Sequence, residues 1–163
     1  MRFALTTRAT PEQVLRAMTD FSDRRLETWS RSLDPQRYEL RELGESWAVA
    51  RESTRHSPYW VVLRYDWSDP SEVRWTEIEN SYGGHGAGSV RIVPTKDGGS
   101  RLHADWGASP APHARDRVAL FLIHRLLSPV AARMWKRALD RYAMTEAAEP
   151  GSAHTNGSRH RDA

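Results

Sequence analysis

Cysteine is missing from all 163 residues, and that absence removes several chemistries at once. There can be no disulfide, no thiolate metal site and no cysteine nucleophile, and the cytoplasm becomes the expected compartment. Lysine is almost missing too, at Lys96 and Lys136 alone. The net charge of +3 therefore rests on arginines, which are scattered along the chain. A nucleic-acid binder gathers its cations on one face or interleaves them with exposed aromatics, so no nucleic-acid partner is expected. No apolar run approaches the roughly 20 residues of a bilayer span. The longest, Val118 to Leu127, is interrupted by His124 and flanked by arginine, which marks a buried helix segment and no stable membrane insertion. The N-terminus is too short and polar for a secretory segment. His-Glu-x-x-His, a nucleophile elbow and clustered histidines are all absent, so no metal or cofactor is expected and hydrolase readings lack support.

Tryptophan, by contrast, is abundant: seven residues fall on different segments. Each can bury ~150–250 Å², so the chain has large apolar surfaces to fill or to line. Arg2 to Arg8 alternates as a short strand. Thr10-Pro11-Glu12-Gln13 then offers a capping box with proline in the first helical turn. A second short helix is expected over Asp23 to Thr28. Six strand-like stretches follow, at Tyr38–Leu43, Ser46–Thr54, Tyr59–Trp67, Glu72–Glu79, Gly88–Pro94 and Arg101–Ala108. Short turn signals separate them, Asp97-Gly98-Gly99 among them, and short links favour antiparallel neighbours. Tyr59, Val61, Leu63, Tyr65 and Trp67 share one strand face, as do Leu102, Ala104 and Trp106. Arg64, Asp66, Arg101, His103 and Asp105 take the opposite faces, so one side of the sheet is buried and the other wet.

From His113 to Met144 the period becomes helical, with Leu120, His124, Leu127, Ala131, Met134, Ala138 and Tyr142 on one stripe. Pro129 must kink or break this helix. Residues 1–144 are expected to form a single α+β domain, and 145–163 a disordered polar tail. A sheet with one wet face must cover the other, and only the terminal helix is long enough to do so. A strongly curved sheet cannot close fully on one straight cylinder, so the gap becomes a pocket.

The opening strand, "ATPEQVLRAMTDFSDRRLETW" from Ala9 to Trp29, "YELRELGESWAVARES", "YDWSDPSEVRWTEIENS", "GGSRLHADW" and the final helix together resemble the SRPBCC, or START-like, superfamily. Within it they are similar to the polyketide cyclase/dehydrase-like proteins, over about Arg2 to Tyr142. The resemblance implies a helix-grip fold: two short helices after the first strand, and a curved antiparallel sheet of six or seven strands around the long helix. It also implies a deep cavity for lipids, sterols, polyketides or other hydrophobic molecules. Members include aromatase/cyclases, hydrolases, lipid carriers and hormone receptors. No catalytic motif is common to them, so none is carried over.

Candidate residues follow from the pattern. Trp67, Trp75 and Trp106 with Tyr65 are expected to form a cavity wall suited to a flat or polycyclic ligand. The glycine-rich stretch Tyr82 to Gly88 precedes a strand, where a phosphate loop needs a helix N-terminus; it reads as a flap or plain connection, with Tyr82 and His85 at the pocket mouth. Leu120, His124 and Met134 face the cavity from the helix, His124 as a core histidine or a polar anchor. Arg51 is a further polar group for orienting a ligand. Glu77 and Glu79 share a strand face and read as a solvated pair. Three functions remain open: a carrier or sensor for a hydrophobic molecule, a cyclase or dehydratase using the same cavity, and an interaction module presenting Arg133, Arg137 and Arg141. Ligand identity and oligomeric state are not legible.

Overall fold

A computed structural model describes residues 1–55, 57–108 and 113–148; within them, the side chains of 108, 114–117, 119–127 and 148 lie outside the description. The chain runs β1 (Arg2–Thr7), α1 (Pro11–Thr19), α2 (Arg24–Thr28), β2 (Glu39–Leu43), β3 (Trp47–Glu52), β4 (Val61–Asp66), β5 (Glu72–Asn80), β6 (Gly86–Pro94), β7 (Ser100–Ala108) and α3 (Ala114–Ala148). All seven strands form one antiparallel sheet in the order β1-β7-β6-β5-β4-β3-β2. Consecutive hairpins build β2 to β7. The first strand then returns to pair with the last, and the curved sheet lies against α3.

Local chemistry explains the boundaries. Thr10 caps α1 through its side chain, which accepts from the Gln13 N–H, while Gln13 accepts from the Thr10 N–H in return. Both bonds satisfy donors that a helix start would otherwise leave orphaned. Val14, Ala17 and Met18 form the buried side of α1. Gly98 has φ 81° in the β6–β7 turn, a left-handed conformation that glycine adopts without a Cβ clash. Pro129 sits inside α3, which continues through it as one helix. That helix also runs to Ala148 and so takes in 145–148, the first residues of the expected tail; residues 149–163 lie outside the description.

The core occupies the concave side of the sheet. Ala48, Ala50, Leu63, Tyr65, Val73, Trp75, Val90, Ile92, Leu102 and Ala104 meet Ala138, Leu139 and Tyr142 of α3 and the inner face of α1. The convex side is mixed rather than uniformly wet. Val49 and Val62 are buried there, and Arg64 stacks on Trp47 and Arg51 on Trp60, at 4.7 and 4.4 Å from the ring centroids. Arginine and tryptophan thus shield each other on this face.

Asp140 clasps α3 to the sheet. It accepts from the Thr7 hydroxyl at 2.7 Å, the Arg8 N–H at 2.9 Å and the Lys136 ammonium. Burial pushes its carboxyl up, but the bonds from Lys136, Arg8 and Thr7 outweigh this and hold it below the ordinary carboxylate range. A depressed carboxyl stabilises above its unfolded value and loses that contribution as pH falls through the folded one. Asp140→Asn is therefore expected to cost about 1–2 kcal/mol at neutral pH. Urea denaturation should show the gap to wild type closing as pH drops below the carboxylate range.

Candidate functional site

A cavity of about 330 Å³ lies between the sheet's inner face and the second half of α3. Val61, Leu63, Tyr65, Trp75, Ala104 and Trp106 line it from the strands, Val130, Ala131, Met134 and Trp135 from α3, and Met18, Trp29 and Leu33 from the segment around α1 and α2. This volume sits at the small end of ligand pockets and has their usual character, apolar walls with a few polar groups.

One register row supplies an aromatic shelf. Tyr65 of β4 pairs with Trp75 of β5, Trp75 with Gly88 of β6, and Gly88 with Trp106 of β7. The ring centroids of Tyr65 and Trp75 lie 6.3 Å apart, and those of Trp75 and Trp106 lie 5.6 Å apart. Gly88 makes the continuity possible. A Cβ there would stand 2.6 Å from Trp75 Cζ2, so the indole occupies the space a side chain would take. Trp75 Nε1 is buried with no acceptor among the described residues.

Three carboxylate residues line the cavity: Asp105 is half-exposed and paired with Arg2, while Glu52 and Glu77 are buried. Glu52, at the end of β3, is bound by Arg25 of α2 through Nη2 at 2.7 Å and by the Tyr65 hydroxyl at 2.9 Å. Arg25 also donates to the Met18 carbonyl and stacks on Phe21 at 4.1 Å. Burial works against the Arg25 charge, but Glu52 and Tyr65 more than offset it and the guanidinium's pKa ends up raised. The pair is closed on itself.

Glu77 of β5 has a different environment. It is 4% exposed, lines the cavity, and accepts from the Tyr82 hydroxyl at 2.6 Å and more weakly from Asn80 Nδ2 at 3.5 Å. Burial raises its carboxyl above the ordinary value, against the hydrogen bond from Tyr82 and the charge of His85. Tyr82 is raised in turn by burial and by Glu77. The folded chain thus holds the Glu77 proton to higher pH than the unfolded chain does. Stability should fall as pH rises from the ordinary carboxylate range through that raised value. Glu77→Gln is expected to abolish this fall and to be at least as stable as wild type at neutral pH, measured by thermal unfolding across pH.

The placement of the expected site residues divides. Tyr65, Trp75, Tyr82, Trp106 and Met134 line the cavity. Trp67 does not: it stacks on Phe21, centroids 5.7 Å apart, beyond the cavity's edge. His85 is exposed on the β5–β6 hairpin, and its charge acts on Glu77. Arg51 lies on the convex face over Trp60, because strand alternation sends it away from Ala50 and Glu52. Leu120 and His124 belong to α3, but their side chains lie outside the described residues. The glycine-rich stretch is no flap at Gly86 and Gly88, which are paired within β6. Glu77 and Glu79 are not a solvated pair. A register shift lets Leu63 pair with Glu77 and Val62 with Glu79; Glu77 points inward while Glu79 meets Arg41 on the convex side at 2.7 Å.

Sheet, gripping helix and apolar cavity together define a helix-grip protein of the START-like class. The chain belongs to the polyketide cyclase/dehydrase and lipid transport family, whose model matches residues 4–149. Among solved structures it is similar to TTHA0849 from Thermus thermophilus, at TM-score 0.71 and 14% identity, covering 90% of this chain and 98% of that one. It is similar to the Zhui aromatase/cyclase from Streptomyces sp. R1128 at TM-score 0.68 and 14% identity, covering 90% and 94%. It is also similar to norcoclaurine synthase from Thalictrum flavum at TM-score 0.64 and 13% identity, covering 88% and 85%. At such low identities the structural similarity shows a shared fold and nothing more. No curated protein matches in sequence. Among the described residues, no helix is long and apolar enough to cross a membrane.

Proposed function

We propose that this protein holds a small hydrophobic molecule bearing a flat ring system in the cavity between sheet and helix, as a cytoplasmic carrier or sensor. The carrying observation is the shelf of Tyr65, Trp75 and Trp106 across four adjacent strands. Flat rings gain offset-stacked or edge contacts of about 0.5–1.5 kcal/mol beyond simple area burial, which a saturated chain does not. A ligand acceptor would also satisfy the orphaned Trp75 N–H. Calorimetric titration with 2-naphthalenemethanol and with undecanol, of equal carbon number, tests the reading. The naphthalene should bind more tightly; tighter binding of undecanol would replace flat-ring recognition with acyl-chain recognition.

A second reading, an enzyme of the cyclase or dehydratase type, is favoured by one observation. Glu77 and Tyr82 place a raised carboxyl and a phenol in hydrogen-bond contact on the cavity wall, and such a pair can take or give a proton at a bound chain. Conversion of a polyketide-like substrate that Glu77→Gln abolishes, with binding intact, would decide for it.

A further inference from the structure

Cavity size and wall rigidity together bound what can be held. An apolar cavity of about 150 Å³ takes one benzene ring, and the cavity here, at about 330 Å³, is roughly twice that. On the same scale it holds two fused rings with a short substituent. A third ring would have to move a wall or stand out in water, where it gains nothing from apolar burial.

Most of the walls cannot move cheaply. The Trp75 indole fills the space over Gly88, the Trp106 N–H donates to the Met1 carbonyl at 2.7 Å, and the Tyr65 hydroxyl is fixed on Glu52. Across the cavity, Trp135 meets Phe3 and Trp29 edge-on, with ring centroids 5.4 and 5.3 Å apart. Trp29 in turn donates to the Ala17 carbonyl at 2.9 Å. Among the other described α3 residues on the cavity, Ala131 is short and Val130 is 43% exposed. Met134 differs from both. It is long, unbranched and half-buried on the wall opposite the shelf, the kind of side chain that fills an irregular gap.

We infer that the cavity selects a two-ring aromatic ligand and that Met134 is the residue that sets this upper limit. This rests on the flat-ring cavity reading and sharpens it to a ligand class. A single ring leaves part of the shelf and of the facing helix without contacts, so it forfeits burial that the site offers. Two fused rings span the space between Trp75, Trp106 and the Met134 side chain. Three rings meet Met134 before they are fully covered.

Three uncharged probes that differ in ring number make the test: benzyl alcohol, 2-naphthalenemethanol and 2-anthracenemethanol, titrated calorimetrically at neutral pH. Wild type should bind the naphthalene at least roughly tenfold more tightly than benzyl alcohol, because the second ring is buried. The anthracene should bind no more tightly than the naphthalene. Met134→Ala opens the wall opposite the shelf and should make the anthracene the tightest of the three. Benzyl alcohol binding wild type as tightly as the naphthalene overturns the inference. So does a further gain of about tenfold from two rings to three, or an M134A protein that keeps the wild-type order. Each of these leaves the cavity reading standing. Failure of all three probes to bind removes both. Should M134A not fold, the wild-type series decides alone.

Discussion

Arg25→Met is expected to destabilise the protein by about 3–5 kcal/mol, because it strands Glu52 in the apolar interior without its cation. Few single changes away from the core hydrophobics should cost more. Arg25 donates twice to Glu52 and once to the Met18 carbonyl, and its plane covers Phe21. One side chain thus joins α1, α2 and β3. The cost lies in the partner left behind rather than in any large intrinsic worth of the ion pair, since paired charges gain little over well-packed apolar groups. The double variant Arg25→Met with Glu52→Gln should recover a substantial part of the loss. Urea unfolding of the two variants at neutral pH checks this: an Arg25→Met protein as stable as wild type would show that Glu52 finds solvent or another donor.

The second large effect belongs to Gly88. A side chain there meets the Trp75 ring at 2.6 Å and the Asp105 carbonyl oxygen, also at 2.6 Å. The indole could swing aside, but the carbonyl is fixed in the β6–β7 ladder, so overpacking cannot relax cheaply. Gly88→Val should cost about 3 kcal/mol, at the upper end for overpacked positions, and should push Trp75 off the shelf. Near-ultraviolet circular dichroism would register the changed Trp75–Trp106 geometry, and affinity for 2-naphthalenemethanol should drop with it. Gly107, one position beyond Trp106 on β7, is the control. Among the described residues, nothing lies within 4 Å of a Cβ placed there, so Gly107→Ala should leave both stability and affinity close to wild type. Equal tolerance at the two glycines would contradict the packing described for Trp75.

Much of the scaffold was legible before any coordinates. Thr10 and Gln13 announce their capping box by residue type and spacing alone, and Gly98 marks its hairpin for the same reason: short-range chemistry leaves a short-range signature. Alternation in Val61, Leu63 and Tyr65 identified a buried face that the sheet confirms. The site was less legible. Glu77 shares its parity with Val73 and Trp75, and this was the signal that it points inward. Glu79, at the same parity, suggested a solvated pair instead, and only the register shift opposite Val62 and Leu63 separates the two. A bulge is set by how two strands fit together and leaves no mark in either one. Arg25 and Glu52 are likewise 27 residues apart on elements that meet only in the folded chain. Trp67 misled for a related reason. Its parity places it with Tyr65, but the strand ends at Asp66 and Phe21 takes up its ring.

Nuclear Overhauser contacts from bound 2-naphthalenemethanol to assigned indole protons would test the occupancy of the cavity most directly. The ring protons should contact Trp75 and Trp106 and the Met134 methyl group. Contacts confined to Trp47 and Trp60, on the arginine-covered convex face, would mean that nothing enters between sheet and helix and that the binding role is wrong.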